Sequence, residues 1–374
     1  MTAAEPALAD VLPSALAAIG VPGWADQLGL RERVGDVRRI GVLLVDGLGY
    51  HLLPRTRSVA PVLADVLDGS LGTLAELSSG FPSTTPTSLV SLGTGVASGE
   101  HGVLGFTLNI PGTDTVVNHI EWQDDPDPQW WQPAPTVFTR AAAAGVPVAV
   151  VSRPEYEGSG LTVSAYRGAA YVGASGVDEL ADRMLATLRA DGGLVCGYHP
   201  SVDSAAHVHG IDSPQWLRAV GRVNRLLAHL IDGLPDDAAL LVTADHGGFD
   251  VPQDERTDLD ADPRLQDGVR VVAGEPRVRY LHTRPGAADD VIATWRSLLG
   301  PVADVVSRDD AIAAGWFGPV PDAHRARIGD VVVVCRDRHV VLATKREKAT
   351  VSALVAYHGG MSREELAIPL IVLR

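Results

Sequence analysis

The run RIGVLLVDGLGY beginning at Arg39 is apolar at almost every position until Asp46 and Gly47, the mark of a strand covered on both faces. Three further runs repeat that character: VPVAVVS at 146–152, GGLVCGYH at 192–199 and AALLVTAD at 238–245. Helical spacing of apolar positions fills the intervals, with VFTRAAAAG before the second strand, VDELADRMLATLRA before the third and SPQWLRAVGRVNRLLAHLID before the fourth. In the last of these, Ser213 is placed to cap the helix and Pro214 to occupy its first position. Strands alternating with helices predict an α/β fold, a mostly parallel sheet sandwiched by helices.

The pattern changes between residues 252 and 348, where Asp, Pro and Arg are frequent, VRVVAGE and PRVRYLHT alternate like half-exposed strands, and DDVIATWRSLL reads as a helix. This predicts a smaller inserted cap at 252–348, with residues 1–251 and 349–374 forming the α/β core; 374 residues exceed the usual size of one domain. A shorter excursion, NIPGTDTVVNHIEWQDDPDPQWWQPAP, is rich in turn residues and carries Trp122, Trp130 and Trp131. At least one of Trp130 and Trp131 is expected to pack the excursion against the core, and either ring has the shape to stack a nucleobase.

The formal charge of −15 and the lack of any basic stripe argue against binding long nucleic acids. An acidic protein that handles an anionic substrate needs local positive charge, and bound cations supply it. Cys196 and Cys335 are far apart and outside any C-x-x-C pattern, so they read as small buried hydrophobes. The N-terminal MTAAEPALADVLPSALAAIG lacks a basic leading region and is broken by Glu5, Asp10 and Pro13, unlike a signal peptide. With no membrane-length apolar stretch, the expectation is a cytoplasmic protein.

Four segments carry groups suited to divalent cations. Asp46 ends the first strand; Asp203 and His207 are four apart in YHPSVDSAAHVHG, hence on one face of a helical turn; Asp245 and His246 end the fourth strand; His358 precedes two glycines in YHGGMSREE. Neighbours in a regular strand point to opposite faces, so Asp245 and His246 converge only if the strand breaks, as Gly247 and Gly248 allow. A fifth segment, FPSTTPTSLVSLGTG, sets Thr85 at the start of a helix, where its hydroxyl feels the positive end of the dipole. A bare threonine is a poor nucleophile, and a cation at its oxygen makes it competent. Each segment alone reads as an ordinary turn, cap or surface histidine, and their joint occurrence carries the weight.

In that order, Asp46, FPSTTPTSLVSLGTGVASGEHGV, DSAAHVHG, TADHGG and YHGG resemble the alkaline phosphatase superfamily, specifically its nucleotide pyrophosphatase/phosphodiesterase branch, over nearly the whole chain. The resemblance implies a hydrolase of phosphodiester or pyrophosphate bonds acting on a small phosphate ester or nucleotide through a covalent phosphothreonine-type intermediate. A phosphomonoesterase or carbon–phosphorus hydrolase of the same superfamily is the alternative. It further implies two divalent ions roughly 4 Å apart. One is held by Asp203, His207 and His358, the other by Asp46, Asp245, His246 and Thr85. The mixed Asp and His set suits Zn2+, and manganese or iron would tolerate it. Ser88 stands where the diesterase branch carries an Asn that assists a phosphate oxygen, which makes it the expected substrate-binding residue. His101 is expected to fix its loop rather than to ligate.

Overall fold

The computed structural model describes residues 5–191 and 193–374. Residues 1–4 of the N-terminal stretch and residue 192, where the third strand was expected to begin, lie outside the described residues. Seven strands form the central sheet in the order Thr73–Ser78, Ala367–Leu373, Ala238–Thr243, Arg39–Val45, Gly193–His199, Val148–Ser152 and Ala170–Gly173. The Arg39–Val45 strand runs parallel to both neighbours, and six of its seven residues are buried, as its unbroken apolar run requires. Ala367–Leu373 pairs antiparallel with both Thr73–Ser78 and Ala238–Thr243, so a single antiparallel strand lies inside an otherwise parallel sheet. Nothing in its composition encodes that direction.

Helices cover both faces. The longest, Pro214–Gly233, starts where expected: the Ser213 hydroxyl accepts from the Trp216 N–H at 3.1 Å, and Pro214 occupies the first turn. It buries Trp216, Val220, Val223, Leu227 and Leu230 along one stripe. Each of the larger aliphatic side chains contributes roughly 1.5–3 kcal/mol.

Within 252–348 a second, antiparallel sheet is ordered Val269–Glu275, Val278–Thr283, Val331–Cys335 and Ala303–Ser307. Its alternation sorts side chains into two layers. Val278, Tyr280, Val332 and Val334 join the main apolar core, whereas Leu281, Val331 and Val333 build a separate cluster with Trp295 from the Ala288–Leu299 helix. A buried ion pair ties this sheet to the central one, with Arg277 Nε and Nη2 each donating at 2.9 Å to the Glu365 carboxylate. The excursion folds as a hairpin of Thr107–Asn109 and Val116–Asn118, anchored by buried Trp122 and Trp131. Among the described residues no helix is long and apolar enough to cross a membrane.

Candidate active site

Register brings the expected residues to one sheet edge. Leu44 pairs with Thr243 and Val45 with His199, so Asp46, Asp245 and the helix carrying Asp203 all begin just past the same strand ends. The Asp46 N–H donates to the His199 carbonyl at 3.0 Å and the Asp203 N–H to the Asp46 carbonyl at 3.1 Å, which seats the Ser201–His209 helix directly on the Asp46 turn. That approach needs Gly47: it adopts φ 72°, and a Cβ there would stand 2.7 Å from the Asp203 Cβ.

Asp245 and His246 converge because the strand ends at Thr243. The strand breaks ahead of Gly247 and Gly248, as expected, and neither glycine takes a positive φ. The missing side chain of Gly247 instead admits the Glu364 carbonyl, which would lie 2.0 Å from a Cβ. The Asp245 Oδ1 is fully used, accepting from the N–H of Gly47 at 3.0 Å and of His246 at 3.1 Å. Its Oδ2 has no hydrogen-bond partner and lies 3.5 Å from His246 Nε2, while Asp46 Oδ1, also without a partner, lies 3.4 Å from the same nitrogen.

Three imidazoles are oriented alike. Nδ1 of His207, His246 and His358 faces the backbone carbonyl of Ala356 at 2.8 Å, Gly247 at 2.9 Å and Ser83 at 3.0 Å respectively. With the Nδ1 proton fixed there, each Nε2 lone pair turns inward, the arrangement in which a metal-ligating histidine is held by its second nitrogen. The Nε2 atoms of His207 and His358 come within 3.3 Å, and the rings of His246 and His358 stack at 3.5 Å.

The ligand atoms of Asp203, His207 and His358 lie within 4.8 Å of one another, and so do those of Asp46, Asp203 and His246. Asp203 therefore stands between both groups, where the resemblance placed it in one. Electrostatics match this crowding. Burial, reinforced by the charges of Asp245 and Asp203, holds Asp46 well above the usual carboxylate range, and burial pushes Asp245 up to about 6. Burial, reinforced by the neighbouring His246, lowers His358 to about 3. Asp203 behaves differently, since its imidazole neighbours, His207 foremost, outweigh the upward push of burial and lower it. His207 rises to about 9, the Asp203 charge outweighing burial. Unpartnered buried carboxylate oxygens facing inward imidazole nitrogens form a donor set that fits divalent cations and relieves its own repulsion when it holds them.

Thr85 opens the Thr85–Thr94 helix, its Oγ1 3.2 Å from His246 Nε2. Thr84 is the N-cap yet makes no side-chain cap bond, so the first-turn N–H groups stay available to an anion. Ser88 lies one turn further on, wholly buried, and lines neither groove described below. Trp131 is buried, with its Nε1–H donating to His119 at 3.0 Å, and Trp130 is exposed away from both grooves, so neither ring is positioned to stack a base. His101 is buried among Ser91 at 2.9 Å and the Val103 N–H at 3.1 Å, remote from the ligand groups and fixing its loop.

Two contributors escaped the sequence reading. The Tyr198 hydroxyl donates to Asp46 Oδ2, and its only sequence signal is an aromatic residue at a strand end. Glu365 also accepts from the Gly360 and Ser362 N–H groups at 2.8 and 3.1 Å, which ties down the loop following His358.

The site opens into two grooves that meet at His207, His358 and Phe106. One, of about 370 Å³, contains Asp46 and Thr85 and is walled by Tyr156, Tyr166 and Tyr171. The other, of about 610 Å³, lies beyond His207 and His358 against the second sheet.

The chain matches the family profile for type I phosphodiesterase / nucleotide pyrophosphatase over residues 41–361. Among solved structures it is similar to murine ectonucleotide pyrophosphatase / phosphodiesterase 5, with a TM-score of 0.71 at 18% identity, covering 89% of this chain and 87% of that one. It is also similar to phosphonoacetate hydrolase from Sinorhizobium meliloti 1021, with a TM-score of 0.70 at 21% identity and 90% of each chain covered. No curated protein sequence matches it significantly. With the profile spanning most of its length, the chain belongs to the type I phosphodiesterase / nucleotide pyrophosphatase family.

Proposed function

We propose that the protein is a two-metal hydrolase of small phosphodiesters or pyrophosphates that works through a phosphorylated or nucleotidylated Thr85. The observation that carries this reading is the Thr85 hydroxyl, 3.2 Å from His246 Nε2 at a helix N-terminus, beside a buried set of inward-facing carboxylates and imidazoles. Asp203, His207 and His358 would hold one cation, and Asp46, Asp245 and His246 would hold the other. Zinc suits that donor set. Bound there, the cations favour the Thr85 alkoxide and offset charge on the phosphoryl oxygens.

Thr85 Oγ1 loses its proton to solvent and bonds to phosphorus as the bond to the departing oxygen breaks; that oxygen leaves with the electron pair and takes up a proton from solvent. Water then attacks the same phosphorus from the opposite side and frees Thr85. Two inversions give net retention. First-turn N–H groups steady a non-bridging oxygen through the step. Residues 252–348 act as the cap, supported by Arg270, Val272, Glu275 and Ala343, which build one wall of the larger groove. Grooves on both sides of the ligand cluster favour a substrate with an organic arm on each side of its phosphate over a monoester. A murine relative solved in an inactive threonine-to-alanine form with AMP is consistent with a threonine at the centre of the chemistry.

The test is Thr85→Ala, assayed with bis-p-nitrophenyl phosphate after metal loading. Turnover is expected to fall by about 10³-fold or more with both ions still bound. Retained turnover excludes the covalent route.

A further inference from the structure

That reading admits both diesters and pyrophosphates, and the charges around the two grooves separate them. The Thr85-side groove is walled by Ile120, Leu161 and tyrosine rings, and no lysine or arginine lines it among the described residues. The larger groove carries Arg270, Arg346 and Lys348, but none is free. Arg270 pairs with Asp114 at 2.8 Å, Arg346 with Asp260 and Lys348 with Glu121. Glu347 in the same wall is matched by Arg279, and buried Glu275 adds negative charge or none. Beyond the ligand cluster, then, the smaller groove is apolar and uncharged, and the larger sets Arg270, Arg346 and Lys348 against Asp114, Glu275 and Glu347, in a chain of net charge −15. A phosphate held out in either groove would leave water with no unpaired basic side chain to meet it, and in the larger groove it would also face carboxylates.

We infer that the substrate is a phosphodiester carrying its single negative charge at the reacting phosphorus, with two uncharged, largely apolar arms, and that pyrophosphate-bearing nucleotides are poor substrates. This rests on the hydrolase reading and narrows it. The smaller groove takes one arm against Tyr156 and Tyr171. The larger groove takes the other beside Val272 and Leu354.

Two measurements on the metal-loaded full chain test it. In the first, kcat/KM for bis-p-nitrophenyl phosphate is compared with that for a dinucleoside pyrophosphate, in the native protein and in Val116→Lys and Ile120→Lys. Val116 and Ile120 are exposed positions on the walls of the larger and smaller groove, so the added lysine leaves the core intact. The diester is expected to lead by at least about tenfold, and a new lysine to narrow that lead several-fold. In the second, calorimetry on Thr85→Ala compares binding of a dinucleoside monophosphate diester with the matching dinucleoside pyrophosphate, and the diester is expected to bind about tenfold tighter. Equal or faster pyrophosphate cleavage by the native protein overturns the inference and leaves the hydrolase reading standing. If no substrate turns over, the hydrolase reading fails and the binding comparison alone decides. Pyrophosphate binding as tight as the diester then overturns the inference.

Discussion

Replacing Glu365 with Gln removes one charge and almost no volume, and the structure makes that exchange costly. Glu365 is fully buried, as is Arg277, and its carboxylate accepts from Arg277 Nε and Nη2, both at 2.9 Å, and from two backbone N–H groups. The Arg277 guanidinium also lies over the Phe249 ring at 4.8 Å and has no path to water. With the carboxylate neutralised, a buried cation stands uncompensated, a change that costs about 3–5 kcal/mol. An unfolding entropy of ~2.1 cal/mol/K per residue over 374 residues converts this into a fall in Tm of roughly 4–6 °C. Because the same carboxylate secures Gly360, two residues beyond His358, the variant is also expected to lose metal from the His358 position during dialysis. Urea denaturation and metal analysis measure the two effects on one preparation. Arg277→Met added to Glu365→Gln removes the stranded charge and is expected to recover roughly half of the lost stability or more. A Glu365→Gln protein within about 1 kcal/mol of the native one refutes the reasoning.

His358→Ala is expected to lower bound metal from two ions per chain to about one, read by elemental analysis after dialysis, since His358 is shared with no other ligand group. Tyr198→Phe removes the hydroxyl that donates to Asp46 Oδ2, and metal affinity is expected to weaken about 10–100-fold in a chelator competition. Trp130→Ala removes an exposed ring outside both grooves, so stability is expected to change by less than about 0.5 kcal/mol and KM to stay put. A clear rise in KM returns Trp130 to the substrate site.

The fold was legible because strands buried on both faces leave unbroken apolar runs, and Arg39–Val45, Val148–Ser152 and Ala238–Thr243 each lie within such a run. Asp46, Asp203 and Asp245 were legible as strand-end residues, because a parallel sheet collects its strand ends at one edge. What escaped depends on partners remote in sequence. Arg277 and Glu365 are 88 residues apart and read locally as surface charges. Tyr198 matters only through Asp46. The half-exposed Thr73–Ser78 strand lacks the apolar run that marks its neighbours, and the direction of Ala367–Leu373 is set by its route back across the molecule. Trp131 carries the signature of a binding aromatic, but its Nε1–H finds a buried partner in His119, and Arg327 covers its ring at 3.9 Å.

Diffraction from metal-loaded crystals, recorded across the zinc absorption edge, tests the central claim most directly. Two peaks are predicted, one about 2.0–2.2 Å from ligand atoms of Asp203, His207 and His358, and the other equally close to Asp46, Asp245 and His246 with Thr85 Oγ1 beside it. Ions bound elsewhere, or a protein that turns over substrate with neither position filled, would contradict the account.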